Sequence, residues 1–198
     1  SGIIGAALNN GEGVAGLAPQ VLIDPRKVLN SVNNGTVANI AQAIRDAADE
    51  GAKIINLSLT TDQPSSVLES AVNYAVGKGI LLVGAAGNSL PPIPDPVQWP
   101  AAYPGVVAVA ATDRSDQRAS YSNTGDVDLA APGGLSSQLI HSTWPAGVNC
   151  PTVGPNYCTG FGTSMSAAFV SGAAALVWGT RPELSLVQIK NLLLETAR

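Results

Sequence analysis

Apolar residues recur along this chain with two alternating periods. Val37, Ile40, Ala41, Ile44, Ala47 and Ala48 share one helical face, and Gly51 closes that run. Lys53-Ile54-Ile55-Asn56-Leu57 then reads as a short buried strand. Val67, Leu68, Ala71, Val72, Ala75 and Val76 make a second helical stripe, closed by Gly77 and Gly79. Ile80-Leu81-Leu82-Val83 and Val106-Val107-Ala108-Val109-Ala110 are unbroken apolar strands. Ser164 to Trp178 reads as a central helix, and Ser185 caps a last amphipathic helix through Leu186, Ile189, Leu192 and Leu193. Apolar strands without polar alternation, separated by helices, belong to a mostly parallel sheet covered on both faces. Residues 1–198 show no internal repeat and no low-complexity linker, so the pattern predicts one α/β domain.

Charge narrows the function classes. Charged residues are 12% of the chain, the net charge is −4, and no basic cluster exists, which argues against a nucleic-acid partner. No apolar run approaches the roughly 20 residues that cross a membrane as a helix. The run Ile3 to Leu8 has no basic region before it and no cleavage signal after it, so it reads as part of something buried, not a signal peptide. Cys150 and Cys158 bracket a Pro- and Gly-rich loop. The reading is a disulfide, which places the protein outside the cytoplasm; the alternative is two free thiols in a reducing compartment.

Ligands of such folds sit at the carboxyl ends of the strands. Three stretches fall there: Ser58-Leu59-Thr60, Gly84-Ala85-Ala86-Gly87-Asn88, and the turn before Ser164. A serine opening a helix sits among unpaired backbone N–H donors that can hold an oxyanion, or it simply caps the helix. Asn88 follows a Gly-rich strand end, either as a turn asparagine or as a side-chain donor into the cleft. Paired with Ser164, it supplies such a donor.

Together these residues form a pattern. Gly162-Thr163-Ser164-Met165 resembles the nucleophile motif of the subtilisin-like serine proteases, and Ala85-Ala86-Gly87-Asn88 resembles their oxyanion motif. Ile55-Asn56-Leu57-Ser58-Leu59, Gly13-Val14-Ala15-Gly16-Leu17-Ala18-Pro19, Lys27-Val28-Leu29 and Ala131-Pro132-Gly133 are similar to further family signatures, in the same order. The resemblance implies Ser164 as nucleophile of an endopeptidase, Asn88 and the Ser164 N–H as oxyanion donors, and Thr163 as support. It implies no cofactor for catalysis. Ser58, Leu59 and Thr60 with Gly84, Ala85, Ala86 and Gly87 would flank the primary specificity pocket. Gly35, Thr36 and Val37 would pair with an extended peptide. Thr60, where the family has glycine, would narrow the pocket toward small or medium apolar side chains. The loop Leu8 to Val14 resembles half of a family calcium site, with Asn10 giving a side-chain oxygen and Leu8, Glu12 and Val14 giving carbonyls; a plain surface turn is the alternative.

The same resemblance places the triad aspartate and histidine before Ser1-Gly2-Ile3-Ile4-Gly5-Ala6, which would start inside a buried helix. The expected partner is therefore an N-terminal segment carrying both, or a self-partner covering the exposed sheet. His141 falls at a non-catalytic family position, and Asp113, Asp116, Asp126 and Asp128 fall on loops. Ala168 and Phe169 stand where the family has proline and histidine. Two other functions stay open: a peptide-binding or assembly module derived from a protease, and a peptide ligase that passes the acyl group to an amine.

Overall fold

The computed structural model describes residues 1–89, 95–145, 150 and 156–197. A short helix α1 (Gly2–Gly5) is followed by α2 (Val37–Asp49), β1 (Ile54–Leu57), α3 (Ser66–Gly77), β2 (Leu81–Ala85), β3 (Val106–Thr112) and β4 (Leu129–Pro132). A hairpin of β5 (Ile140–Thr143) and β6 (Tyr157–Gly160) leads into α4 (Thr163–Thr180), and α5 (Leu186–Thr196) ends the chain's regular structure.

Strands β1 to β4 form one parallel sheet in sequential order. Thr36 caps α2 by accepting from the Asn39 N–H, which answers one of the helix's orphan donors. Helices α2 and α3 lay Ile40, Ile44, Leu68 and Val72 on one face of the sheet, against Leu57, Leu82 and Val106. Helices α4 and α5 cover the other face, where Ala167, Val170, Ala174 and Ile189 meet Leu81, Val83, Val107 and Val109. Every residue of β2 is buried, so its unbroken apolar run is the consequence of having helices on both sides. The expected α/β architecture is the observed one.

Three elements carry no signal in the hydrophobic pattern. β4 exposes Ala130 and Pro132 and is held by its register on β3, Val109 opposite Leu129. β5 and β6 alternate or sit half-buried and pair antiparallel, His141 opposite Thr159. Short strands with so few buried positions have too little periodicity to announce themselves. Residues 21–28 form no strand, and Leu22 is 97% exposed. Among the described residues β1 has a paired neighbour on one side only, β2.

Candidate active site

The carboxyl ends of β1 and β2 and the amino end of α4 converge on one point. Gly162, at φ +141°, stands at the N-cap of α4. Ser164 is therefore the second helical residue, inside the first turn, and is not the cap. Its backbone N–H is one of the donors a helix leaves unpaired, and no described residue accepts from it. A Cβ on Gly162 would lie 3.4 Å from Asn88 Oδ1, so the turn passes close to that side chain.

Thr163 binds β2's end to the helix. It is fully buried, and its N–H donates to Asn88 Oδ1 at 2.8 Å. Its hydroxyl donates to the same oxygen at 3.1 Å and accepts from the Gly87 N–H at 3.2 Å. With Oδ1 taken twice, the Asn88 amide turns its two N–H donors elsewhere, and the residue is exposed. The left-handed backbone belongs to Gly87, at φ +115°, and not to Asn88. Asn88 is thus held by its side chain, not placed by its own turn preference.

Ser58 meets Ser164 directly. Ser58 Oγ donates to the Ser164 carbonyl at 2.8 Å, and Ser164 Oγ donates to the Ser58 carbonyl at 3.4 Å. Asn56 Nδ2 donates to Ser58 Oγ at 2.9 Å, and Asn56 Oδ1 accepts from Ser171 Oγ, one face of α4 further on, at 3.0 Å. Asn56 and Ser171 are support residues that sequence reasoning missed. The polar Asn56 inside an otherwise apolar strand was the available signal.

The described residues bring together Ser58, Gly87, Asn88, Thr163 and Ser164. Gly84, Ala85 and Ala86 are buried at the end of β2. Leu59 and Thr60 continue beyond β1, and the next residue, Thr61, pairs with Trp99. A further wall is added by Gln98, whose N–H donates to Ala86 O at 2.9 Å. Its amide oxygen would lie 2.6 Å from a Cβ on Gly87, and its Nε2 donates to Asp62 Oδ1 at 2.6 Å. Gln98 and Asp62 lie 36 positions apart, which is why no local motif shows them. Thr36 and Val37 belong to the start of α2, leaving Gly35 ahead of the helix; a Cβ there would lie 2.4 Å from Val28 O. None of the three has a hydrogen bond to the Ser164 cluster among the described residues.

His141 is exposed on β5, and Ser164 Oγ has the Ser58 carbonyl as its hydrogen-bond partner among the described residues. A carbonyl accepts a hydrogen bond but cannot take the proton, so the described partner of the Ser164 hydroxyl cannot act as its base.

The subtilase family model matches residues 1–198, the whole chain. The chain belongs to the subtilase family. Subtilisin Savinase of Lederbergia lenta is 42% identical over 193 residues, covering 97% of this chain and 66% of that protein. The alkaline protease of Alkalihalobacillus alcalophilus is 42% identical over 193 residues and is covered over 47% of its length. Among solved structures, a protease of Pseudoalteromonas arctica PAMC 21717 superposes with TM-score 0.89 at 35% identity, covering 100% of this chain and 62% of that one. Sphericase gives TM-score 0.84 at 35% identity, with 98% and 66% covered. The chain thus spans between about half and two thirds of the relatives it matches.

Against the turn before Ser164 of this subtilase lies Tyr121, almost fully buried, its ring 5.3 Å from that of Phe161. Its hydroxyl donates to Gly134 O at 2.8 Å. Burial pushes the phenol up to about 12, against a smaller opposing effect of a hydrogen bond with the Gly162 backbone. The folded state therefore holds this proton more tightly than the unfolded chain, whose tyrosines ionise near pH ~10. The resulting stabilisation is complete below that pH and is lost as pH rises from about 10 through about 12. Tyr121→Phe should flatten the fall in melting temperature across that window relative to the parent. An unchanged slope would place the alkaline sensitivity elsewhere.

Cys150 and Cys158 are joined, with Cα atoms 5.7 Å apart. Residues 151–155 between them lie outside the described residues. In the loop from Leu8 to Val14, Asn10 Oδ1 accepts from the Glu12 N–H at 3.0 Å, and a Cβ on Gly13 would run into the Tyr157 ring. No group of three or more His, Cys, Asp or Glu that could hold a metal is found among the described residues. Calcium takes about six to eight oxygens. Leu8, Asn10, Glu12 and Val14 supply fewer oxygens than that, so these residues do not by themselves complete a calcium site. No described helix is long and apolar enough to cross a membrane.

Proposed function

We propose that the complete protein is a serine endopeptidase, with residues 1–198 carrying its nucleophile and oxyanion hole. The observation that carries this reading is the grip of Thr163 on Asn88 Oδ1. It occupies the Asn88 oxygen at the start of α4 and leaves the Asn88 amide donors, like the Ser164 N–H, without a partner among the described residues. Preorganised donors of this kind contribute most where negative charge develops on a carbonyl oxygen.

In the reaction, Ser164 Oγ forms a bond to a peptide carbonyl carbon while its proton passes to a general base. The tetrahedral oxygen is held by Asn88 Nδ2 and the Ser164 N–H. The carbon–nitrogen bond then breaks, the proton goes to the leaving amine, and water cleaves the resulting ester. The base and its orienting carboxylate come, in this proposal, from chain outside residues 1–198. The edge of β1 that has no neighbour among the described residues and the exposed Leu22 are where that chain would pack. The disulfide supports an extracellular site of action. Any calcium at the Leu8–Val14 loop would need oxygens from that same outside segment.

For specificity, the Gln98 side chain lies against Gly87 and reaches Asp62, and Thr60 stands three residues beyond the end of β1 where the family has glycine. The reading is a preference for small or medium apolar side chains before the scissile bond. A serine-directed aryl phosphonate tests the mechanism. Peptide mapping of the full-length protein should place one adduct on Ser164, absent in Ser164→Ala. An adduct elsewhere, or none on a protein that hydrolyses peptides, would remove Ser164 from the mechanism.

A further inference from the structure

Asn123 is completely buried although its side chain is polar. All of its hydrogen-bonding atoms are engaged. Its N–H donates to Gly87 O at 3.1 Å. Its Oδ1 accepts from the Ser89 N–H at 3.0 Å and from Ser89 Oγ at 2.6 Å. Its Nδ2 donates to Pro96 O at 3.0 Å, and its carbonyl accepts from Ser122 Oγ at 3.2 Å. The residues bound across the fold, Gly87, Ser89 and Pro96, bracket Asn88 on both sides, whereas Asn123 itself is shut off from the cleft.

Two neighbours strengthen the grip. Ser122 bridges Asn88 in antiparallel fashion, and its hydroxyl accepts from the Ala111 N–H at 2.9 Å, anchoring the turn to β3. The Ser89 N–H also reaches Tyr121 O at 2.8 Å. At Gly87 a Cβ would come within 2.4 Å of Asn123 Nδ2, and the backbone is left-handed. Glycine at 87 and asparagine at 123 therefore fit as a pair.

A carboxamide offers an acceptor and two donors on one rigid group. With its oxygen taken by Ser89 and its nitrogen bound to Pro96, the buried Asn123 carboxamide ties together chain segments that apolar packing alone would leave freer to shift. Asn88 is exposed and sits on a loop, where an oxyanion donor would otherwise drift. Donors must stay within about 0.5 Å of their productive place. We propose that Asn123 is a positioning residue for the hydrolysis, holding Gly87 and Ser89 so that the Asn88 amide keeps its aim at the oxyanion. This rests on the oxyanion role proposed above for Asn88.

The test is a double-mutant cycle in the full-length protein, with kcat and KM measured on a peptide substrate and folding checked by thermal melting. Asn123→Ala should lower kcat by about 10- to 100-fold, the loss expected of a displacement near 1 Å, and leave KM within about twofold. In an Asn88→Ala background the same substitution should cost less than about twofold, because the group it aims is gone. Asn123→Asp, which keeps the acceptor for Ser89, should fall between Asn123→Ala and the parent. An equal loss in both backgrounds, or a rise in KM at constant kcat, overturns the inference while leaving the Asn88 role standing. No loss in Asn88→Ala alone overturns both. Failure of Asn123→Ala and Asn123→Asp to fold overturns the inference too, since Asn123 would then be a requirement of the core.

Discussion

Replacing Ser164 by alanine in the full-length protein is expected to lower kcat by on the order of 10⁶, the magnitude seen when the nucleophile of a subtilisin is removed. What remains is the roughly 10³–10⁴-fold over water that oxyanion donors and binding supply without covalent chemistry. KM should hold, because the hydroxyl's partner in the resting site is the Ser58 carbonyl, at 3.4 Å, and an extended substrate binds mainly through its main chain. Folding should hold as well. One long hydrogen bond from a half-buried hydroxyl contributes no more than about 1 kcal/mol. Residues 1–198 alone should show little change on the same substitution, since a serine without a base is a weak nucleophile. Steady-state kinetics on both forms check this pair of outcomes. A loss below about tenfold in the full-length protein would mean that the acyl-enzyme does not form on Ser164.

Asn88→Ala is expected to cost about 10²–10³ in kcat, again the magnitude found on removing one oxyanion donor from a subtilisin, with KM nearly unchanged. Alanine also strips the acceptor from the Thr163 N–H and hydroxyl, which could loosen the turn before Ser164. Asn88→Asp separates the two effects. It keeps an acceptor for Thr163 but has no N–H for the oxyanion, and its charge opposes the developing one. Its kcat should fall at least as far as that of alanine. Recovery of most of the activity in Asn88→Asp would show that Asn88 serves Thr163 and the turn, and is not itself a donor.

The helices and central strands were legible because burial imposes periodicity. Strand β2 is buried at every position, and α2 and α5 show one apolar stripe each and a capping side chain at the start. β4, β5 and β6 were not legible, since their residues are part-exposed and take their pairing from neighbours. Ser164 and Asn88 stood out through short motifs at the ends of buried elements. Gln98, Asn123 and Ser171 did not, because each acts on residues distant in the chain: Gln98 on Asp62, 36 positions away, Asn123 on Ser89, 34 positions away, and Ser171 on Asn56, 115 positions away.

By itself the amino-acid sequence determined the layers of this protein, the central strands and where they end, and the short motifs that hold Ser164 and Asn88. Those are consequences of hydrophobic period and local backbone chemistry, both confined to a few consecutive residues. Only the tertiary structure decided that Thr163 occupies the Asn88 oxygen, that Ser58 and Ser164 exchange hydrogen bonds, and that Asn123 holds the loop on either side of Asn88. A hydrogen bond depends on distance and angle within tenths of an ångström, and between residues so far apart in the chain only the packed sheet and helices set that distance.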